Sequence, residues 1–381
     1  MSEWKKVKLD DCLELITYGF TNPMPDTLSG PWKVTAKDIN NGRIVFETAR
    51  HTSQEAFDND LTDKSRPKKG DILLTKDGTL GRLAIVGDER VCINQSVALL
   101  RVNKDILSVS YLYYLLSTPL YQAKMLADAG GAAIKHIYIT RVNQLLIPCP
   151  SYDEQCLIAN ILSRYDSLIE NYQKQIKLLE EAAQRLYKEW FVDLRFPGHE
   201  NTKIVDGVPE GWEKKKVGDI VPIKTGKKDA NYGTPDGVYP FFTCSQEPIK
   251  APSYSFDSNA VILAGNGDFN VKLYRGKFEA YQRTYILEPY EASMLYLLYF
   301  CISENMNKLA TGASGSTIKF LTKGMIDSLE MFVPIETIVV RFNQYIEANQ
   351  SEKEKIQSQI RLLTEARDRL LPKLMSGEIA V

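Results

Sequence analysis

Histidines, cysteines and a lysine–glycine segment are the residues of this chain that could support catalysis or metal binding. The 3 histidines are too scattered for a histidine-based metal site or a catalytic triad (His51, His136 and His199). The 6 cysteines include no CxxC pair, which favours buried free thiols over structural zinc. Lys224-Thr-Gly-Lys227 lacks the G-x-x-x-x-G-K-[ST] spacing of a phosphate loop. We therefore expect no catalytic residues, no metal and no cofactor on this chain.

Paired carboxylates and lysines, as in Glu352-Lys-Glu-Lys355, would suit nuclease chemistry, but they recur along a charged helix face. The chain has 381 residues, 44% hydrophobic and 25% charged, enough for two or three domains with a substantial core. It shows neither a long apolar run nor an apolar leader, so we expect a cytoplasmic protein without membrane contact. Net charge is −1, so any surface for nucleic acid must come from local clusters.

The element that must position any such cluster is a duplicated helix. Gln175–Ala182 reads QIKLLEEA and Gln359–Ala366 reads QIRLLTEA, an offset of 184 residues. The same offset carries Ile134-Lys135 onto Ile318-Lys319, far upstream of each helix. Matching helices with matching leaders indicate an internal duplication.

Both predicted helices carry an apolar seam whose steps alternate between four and three residues, as in a coiled coil. The first, over residues 151–196, begins at a capping box of Ser151 and Glu154 and keeps its seam from Ile158 to Trp190. The second, over residues 335–381, has polar residues at three seam positions, Asn349, Lys353 and Arg367. It should end at Ser376-Gly377. Polar seam residues usually set register rather than add stability.

The segments that precede these helices, residues 1–150 and 212–334, predict mixed strand-rich domains, with a polar linker over residues 197–211. The fold class is therefore α/β (α+β). In the first domain we expect three strands, Asp71–Thr75, Leu83–Val86 and Val91–Val102. We also expect a helix over Tyr111–Met125 that is capped by Ser110, with Pro119 as a possible interruption. The second has strand patterns at Ala260–Ala264 and Tyr281–Leu287, and a helix beginning near Met294.

The two apolar seams must be buried, and each helix is the obvious partner of the other. Antiparallel pairing gives a pseudo-twofold molecule and brings Val381 back near Met1. Two similar domains at a fixed spacing suit duplex DNA, whose faces recur about every 34 Å. They equally suit a two-headed scaffold that bridges two copies of a protein partner, and geometry alone leaves both open.

A set of motifs adds to this duplicated order. The first half carries them in full, whereas the second half has Asn259–Ala264 in place of the Gly-Asp-Ile-Leu-Leu motif and Glu336-Thr337 in place of Asp-Glu-Gln. The motifs are Gly70-Asp-Ile-Leu-Leu-Thr75 with Asp77-Gly78, Ile93-Asn-Gln-Ser-Val97, Ile147-Pro148, Asp153-Glu-Gln155, and the helix end Leu186–Phe196. Over its whole length the chain resembles the specificity subunit of Type I restriction-modification systems.

That resemblance implies two target-recognition domains, each reading one half of an asymmetric, interrupted site in double-stranded DNA. The helices would set the unread gap. It also implies docking of two methyltransferase (modification) subunits and of restriction/translocase subunits. S-adenosylmethionine, ATP and Mg would be bound by those partners.

Candidate phosphate contacts are cations and hydroxyls in loops of small residues, where the backbone can approach a phosphate closely. Lys76, Thr79 and Arg82 lie in the first glycine turn. Lys135 and Lys319 occupy equivalent loops, and Ser316 and Thr317 add donors in the second loop. The alternative is that these loops only join surface strands.

Candidate base contacts are arginine and amide side chains, because a guanidinium pairs with guanine and an amide with adenine. The first domain offers Gln95, with Arg43 and Arg66 as further candidates. The second domain offers Gln246, Gln282 and Arg283.

Overall fold

The structure is a computed structural model that describes residues 4–127, 136–315 and 319–381. Contacts divide the chain into two compact units. The first unit comprises Met1–Tyr172 together with Gln359–Val381, and the second comprises Gln173–Ser358. We call residues 4–149 the first head and residues 212–333 the second head.

The first head consists of short strands and helices. Its strands are β1 (Lys5–Lys8), β2 (Leu13–Tyr18), β3 (Thr27–Val34), β4 (Ile39–Asn40), β5 (Arg43–Ile44), β6 (Arg50–His51), β7 (Ile72–Thr75), β8 (Leu83–Ile85), β9 (Val91–Ile93), β10 (Val97–Val102) and β11 (Leu146–Cys149). Its helices are α1 (Gln54–Asn59), α2 (Val109–Ser117), α3 (Pro119–Ala127) and α4 (Ile139–Val142). The long helix α5 (Tyr152–Tyr187) then leads from the first unit into the second.

The second unit opens with a short hairpin and continues into the second head. Its strands are β12 (Ile204–Val205), β13 (Val208–Pro209), β14 (Glu213–Lys216), β15 (Ile223–Thr225), β16 (Tyr239–Phe242), β17 (Ile249–Ala251), β18 (Phe256–Ala264), β19 (Val271–Ala280), β20 (Thr284–Leu287) and β21 (Glu330–Val333). Its helices are α6 (Val217–Ile220), α7 (Leu295–Glu304), α8 (Met306–Gly312), α9 (Lys323–Asp327) and the long α10 (Glu336–Met375), which returns to the first unit. No helix in the described ranges is long and apolar enough to cross a membrane.

The two heads share one strand topology. In the first, the order is β2-β10-β7-β8, with separate β6-β3-β9 and β1-β11 pairings. In the second, the order is β15-β20-β18-β19-β16-β17, with β14-β21 apart. Among the described strands, the first head has one parallel pair, β3 with β9, and the second head has one, β16 with β19. The long strand β19 pairs with both β18 and β16, so it corresponds to β8 and β9 of the first head together. The duplication predicted from the helix repeat is therefore confirmed strand by strand.

One glycine position marks this shared framework. Gly19 follows β2 and Gly226 follows β15, and each lies directly against a backbone carbonyl of the neighbouring strand. A Cβ at Gly19 would lie 1.7 Å from the Ile93 oxygen, and one at Gly226 would lie 2.3 Å from the Ala280 oxygen. Both positions therefore exclude every other residue type.

In each unit, segments of α5 and α10 run antiparallel and bury the predicted seam. In the first unit, Ile158 and Leu162 share a core with Leu371 and Leu374. In the second, Ala183 and Trp190 of the α5 region share a core with Phe342 and Ile346 of α10, and the Trp190 and Phe342 rings are 6.0 Å apart. Burying each such side chain contributes about 1.5–3 kcal/mol, which holds the helices against their heads.

The polar seam residues of α10 all have specific partners. Asn349 Nδ2 donates to the Leu179 carbonyl at 3.0 Å, and Lys353 pairs with Glu180 at 2.7 Å, both within the second unit. In the first unit, Arg367 Nη1 donates to Asp166 Oδ1 at 2.7 Å. A one-residue slip of either helix would separate these pairs, so they fix the register of the pairing.

The predicted start of α5 is confirmed. Glu154 Oε2 accepts the Ser151 backbone N–H at 3.2 Å, and Ser151 Oγ accepts the Glu154 N–H at 3.4 Å, which is a capping box. The buried Gln155 lies beside it and accepts the Ser108 N–H at 2.8 Å. In the same side chain, Nε2 donates to the Pro150 carbonyl at 3.0 Å. The Asp-Glu-Gln motif therefore joins the start of α5 to the start of α2.

Two sequence expectations were wrong in detail. The helix predicted to reach Phe196 ends at Tyr187 and continues only as a π-turn over Lys188–Val192, because Leu194 has a left-handed φ of 59°. The strand predicted over Val91–Val102 is interrupted by a turn at residues 94–96. The interruption expected at Pro119 is confirmed, because the helix predicted over Tyr111–Met125 is two helices, α2 and α3, and the missing N–H of Pro119 suits a helix start.

The structure corrects one predicted helix end and confirms another. The N-cap of α2 is Ser108, whose side chain accepts from the Tyr111 N–H, and not Ser110. The expected end of α10 is confirmed, because the helix stops at Met375 and Gly377 has a φ of 72°. Gly377 lies against the indole of Trp4, 3.3 Å from the position of a Cβ, so the two ends of the described chain meet in the first unit.

Candidate nucleic-acid interface

In each head, loops gather at the ends of the central strands around a turn that contains glycine. In the first head the turn follows β7, where Asp77 bridges to His136 and the Ile137 N–H donates to the Lys76 carbonyl at 2.9 Å. In the second head the turn follows β18. There Asn266 bridges to Phe320, and the Leu321 N–H donates to the Gly265 carbonyl at 2.8 Å. His136 and Phe320 keep the 184-residue offset of the helices.

The tips of both turns face open space. Gly78 has a φ of 76° and Gly267 a φ of 68°, so each adopts the left-handed conformation that favours glycine. A Cβ at either position would meet nothing within 4 Å. A ligand can therefore approach the backbone at both tips.

Gln95 and Gln282 occupy the same place in the two heads, beside these turns. The Gln95 N–H donates to the Phe20 carbonyl at 2.8 Å, and the Gln282 N–H donates to the Lys228 carbonyl at 2.9 Å. Both side chains are exposed, although Gln282 Nε2 lies 3.5 Å from Asp229 Oδ1. The backbone of each glutamine is thus fixed while its amide remains accessible.

Two of the predicted cations in the first head are engaged within the head. Lys76 Nζ lies 2.6 Å from Asp77 Oδ2 and 3.1 Å from the Gln95 carbonyl, and its side chain is only 16% exposed. Arg82 Nη1 donates to the Ile39 carbonyl at 3.1 Å. These cations hold the loops in place, whereas Thr79 is exposed at the turn. Their contact with a ligand remains a prediction.

The second head presents more accessible cations. Arg283 and Lys319 are exposed, and neither forms an ion pair with any residue in the described ranges. Gln246 lies near the same turn, where its Nε2 donates to Asp268 Oδ2 at 2.8 Å. Lys135, Ser316 and Thr317 lie outside the described residues.

The sequence of each head matches one known family. The model of the Type I restriction modification DNA specificity domain matches residues 1–181 and 209–362. The chain belongs to this family.

Its relatives are specificity subunits. The chain is 35% identical over 176 residues to the Type I restriction enzyme EcoDI specificity subunit of Escherichia coli, a match that covers 45% of this chain and 39% of that protein. It is 27% identical over 384 residues to the Type I restriction enzyme MjaIX specificity subunit of Methanocaldococcus jannaschii, covering 92% and 87% of the two chains. The crystal structure of the S subunit from M. genitalium, 18% identical, covers 98% of this chain and 96% of that chain with a TM-score of 0.58, which shows a common fold.

In this member of the specificity family, the further base-contact candidates differ in accessibility. Arg43 on β5 is exposed, whereas Arg66 Nη2 lies 3.4 Å from Asp63 Oδ1 and its guanidinium stands over the Phe57 ring. No group of three or more histidine, cysteine, aspartate or glutamate side chains in the described part of the chain could hold a metal ion.

Sequence reasoning overlooked a support of the second turn. Cys244 Sγ donates to Asn266 Oδ1 at 2.8 Å, and Lys272 Nζ donates to the Ser245 carbonyl at 2.9 Å. Lys272 is half-buried, and this burial lowers the pKa of its ammonium group. Hydrogen bonds between loops distant in sequence leave no local signal, although the Gly265-Asn-Gly267 turn itself was recognisable.

Proposed function

We propose that this chain is the DNA-reading subunit of a Type I restriction-modification complex. Each head would read one half of a bipartite, asymmetric site in double-stranded DNA. The observation that carries the proposal is the accessible glycine turn that recurs in both heads on one backbone framework, with different side chains around it. Membership of a family of DNA specificity domains supplies the ligand class.

Different side chains on one framework are what two related but unequal half-sites require. The last residue of β7, Thr75, pairs with the first residue of β10, as Ala264 at the end of β18 pairs with the first residue of β20. Thr75 therefore corresponds to Ala264, and Ser96, which precedes β10, corresponds to Arg283, which precedes β20. A shared backbone gives both heads the same docking geometry, while the side chains present different hydrogen-bonding groups to base edges.

The two long helices would set the unread gap between the half-sites. The 36 residues of α5 extend about 54 Å, because an α-helix rises about 1.5 Å per residue. Polar seam pairs such as Asn349 with Leu179 and Arg367 with Asp166 prevent sliding within each unit. On this proposal, the fixed register would give the unread gap a constant length.

A repeated surface patch supports docking of two copies of one protein partner, the methyltransferase subunit. Leu178 and Leu362, equivalent residues of the repeated octet, are 63% and 55% exposed. An i,i+4 ion pair lies beside each leucine, Lys177 with Glu181 and Arg361 with Glu365. Restriction/translocase subunits would join this assembly, and S-adenosylmethionine, ATP and Mg would be bound by the partners.

The deciding experiment is selection of binding sites from randomised DNA by the chain together with its methyltransferase partner. A split motif with an unread gap is the expected result, whereas a protein complex that enriches no motif would identify a scaffold. Exchanging residues 212–334 for those of another specificity subunit should change one half-site only. Inserting four residues into both long helices should lengthen the gap and leave both half-sites unchanged.

Docking is tested separately with Leu178→Glu and Leu362→Glu. Each single variant should bind one methyltransferase copy instead of two, and the double variant should bind none, as measured by native mass spectrometry. Leu168→Glu is the matched control, because Leu168 is 45% exposed on α5 but its counterpart in the repeat is Glu352. Full binding by the double variant would exclude this patch as the docking surface.

A further inference from the structure

The residue that precedes the glycine at each turn tip differs in chemistry between the heads. It is Asp77 in the first head and Asn266 in the second. Both residues form an isolated bridge on the same side of the turn, to His136 and Phe320 respectively. The backbone is therefore the same at both positions, and the side chain is the variable part.

In the first head the side chain at this position can only accept hydrogen bonds. Asp77 Oδ2 is 2.6 Å from Lys76 Nζ, and the Asp77 side chain is 31% exposed. The ammonium occupies one carboxylate oxygen and compensates its charge. The other oxygen remains for a donor, and the donors on base edges in the major groove are the amino groups of cytosine and adenine.

In the second head the corresponding side chain is arranged to donate. Asn266 Oδ1 accepts the Cys244 thiol at 2.8 Å, so the amide oxygen is turned toward the head and one of its two lone pairs is used there. That contact orients the Nδ2 amino group away from Cys244, with two N–H groups left to donate. Acceptors for such a group in the major groove are guanine O6 and N7, adenine N7 and thymine O4.

We propose that Asp77 and Asn266 each determine the preference at one base pair, with opposite hydrogen-bond sense. Asp77 accepts from a base amino group in the first half-site, and Asn266, positioned by Cys244, donates to a base acceptor in the second. This assignment rests on the proposed function. It explains why the turn tip is open in both heads while its polar side chain changes between them.

The test is site selection from randomised DNA by the full chain with its methyltransferase partner, comparing Asp77→Asn and Asn266→Asp with the unaltered chain. Asp77→Asn should change the preferred base by about 10- to 100-fold at one pair of the first half-site only. Asn266→Asp should do the same at one pair of the second half-site only.

Matched controls carry the same chemical change elsewhere in each head. Asp88→Asn removes another exposed carboxylate that pairs with a lysine, Lys69, at 2.7 Å. Asn259→Asp alters an exposed asparagine on β18. Both controls should leave the selected motif unchanged.

The outcomes separate this assignment from the proposed function. If the unaltered chain selects no split motif, the proposed function fails. If it selects one and both Asp77→Asn and Asn266→Asp select the same motif, the turn-tip assignment is overturned.

Cys244 gives a second, independent readout should Asn266→Asp fail to fold. Cys244→Ala frees the Asn266 amide to rotate, which should relax the preference at the same base pair, whereas Cys244→Ser should retain it. An unchanged preference in Cys244→Ala would contradict the positioning role.

Discussion

Asp166 of α5 and Arg367 of α10 are 201 residues apart in the sequence, yet Asp166 Oδ1 and Arg367 Nη1 are 2.7 Å apart. The other carboxylate oxygen accepts the Tyr114 hydroxyl at 2.6 Å. One carboxylate thus connects both long helices to α2 of the first head. Burial and this carboxylate together raise the pKa of Tyr114, so the phenol remains a donor throughout the ordinary pH range.

Replacing Asp166 with asparagine should lower the free energy of unfolding of the first unit by about 1–2 kcal/mol. The pair is partly exposed, so solvent screening limits its contribution. Hydrogen exchange of amides in α2 and residues 359–375 measures the effect. Arg361→Ala, which removes an exposed pair with Glu365 in the same unit, is the control and should change stability by less than about 0.5 kcal/mol. Equal effects would show that the Asp166 pair has no special role.

Gln155→Leu should cost about 2–4 kcal/mol, because it leaves the Ser108 N–H and the Pro150 carbonyl without partners in a buried site. Urea denaturation followed by circular dichroism gives the value. Gln184→Leu is a matched control, since Gln184 forms its bond with Glu304 at the surface. In the second half the repeat offset places the buried Val339 at the corresponding position, where an apolar contact replaces the polar one.

Removing residues 374–381 should destabilise the first unit by at least about 4 kcal/mol and leave the second unit intact. Leu374 and Met375 are buried in the core of the first head, and losing such side chains costs about 2–5 kcal/mol each. Amide exchange in β1 and β11 should accelerate, while β18 and β20 stay protected. Removing only residues 380–381 is the control. Loss of protection in β18 would show that the two units do not unfold independently.

The stability of the second unit should decrease between about pH 9 and pH 11. Burial raises the pKa of the Cys301 thiol from 9.0 to about 11. The folded state therefore holds this proton more tightly than the unfolded state, so the stabilisation is complete below pH 9 and is lost as pH rises to the folded pKa. Cys301→Ala should reduce the slope of unfolding free energy against pH by up to about 1.4 kcal/mol per pH unit in this window. Cys156→Ala is the control for replacing a cysteine with alanine. If Cys301→Ala left the slope of unfolding free energy against pH unaltered, the Cys301 thiol would not be the source of this pH dependence.

Arg283→Ala and Lys319→Ala should each weaken binding of the chain and its partner to DNA. Each should also reduce the magnitude of the log–log salt slope by about 0.9 for every phosphate that is no longer neutralised. Both side chains are exposed and unpaired within the described ranges. Fluorescence anisotropy at several salt concentrations measures the slope. Lys373→Ala, an exposed cation of α10, is the control and should leave it unchanged. A slope unaffected by either head substitution would place the phosphate contacts elsewhere.

Much of the framework follows from local sequence. The capping box at Ser151, the seam from Ile158 and the end of α10 at Gly377 depend on residues close together in the chain, and all three were predicted. The repeated octet also indicated the duplication, which the strand order confirms. By contrast β19 shows no clean alternation, because β16 and β18 flank it and its burial varies along its length. Its ten residues were missed for that reason.

The environments of the candidate site residues were harder to predict, because they depend on contacts distant in the sequence. Lys76 and Arg82 have the right chemistry for phosphate, but their partners, Gln95 and Ile39, lie on other loops. From the sequence, Asp77 stood out only as part of the Asp77-Gly78 motif, and Asn266 only as part of the Gly265-Asn-Gly267 turn. Their equivalence required the bridges to His136 and Phe320, which a single sequence does not display.

The composition of the first unit from two separate parts of the chain has a consequence for synthesis. A ribosome makes the first head before the second, yet the helix segment that completes the core of the first unit, residues 359–381, is made after residues 173–358 of the second unit. Until then, the apolar seam of α5 around Ile158 and Leu162 lacks the α10 residues that cover it. Of the two heads, the one that is translated earlier is therefore completed later, and in the interval its nascent form exposes apolar surface of the kind that promotes aggregation.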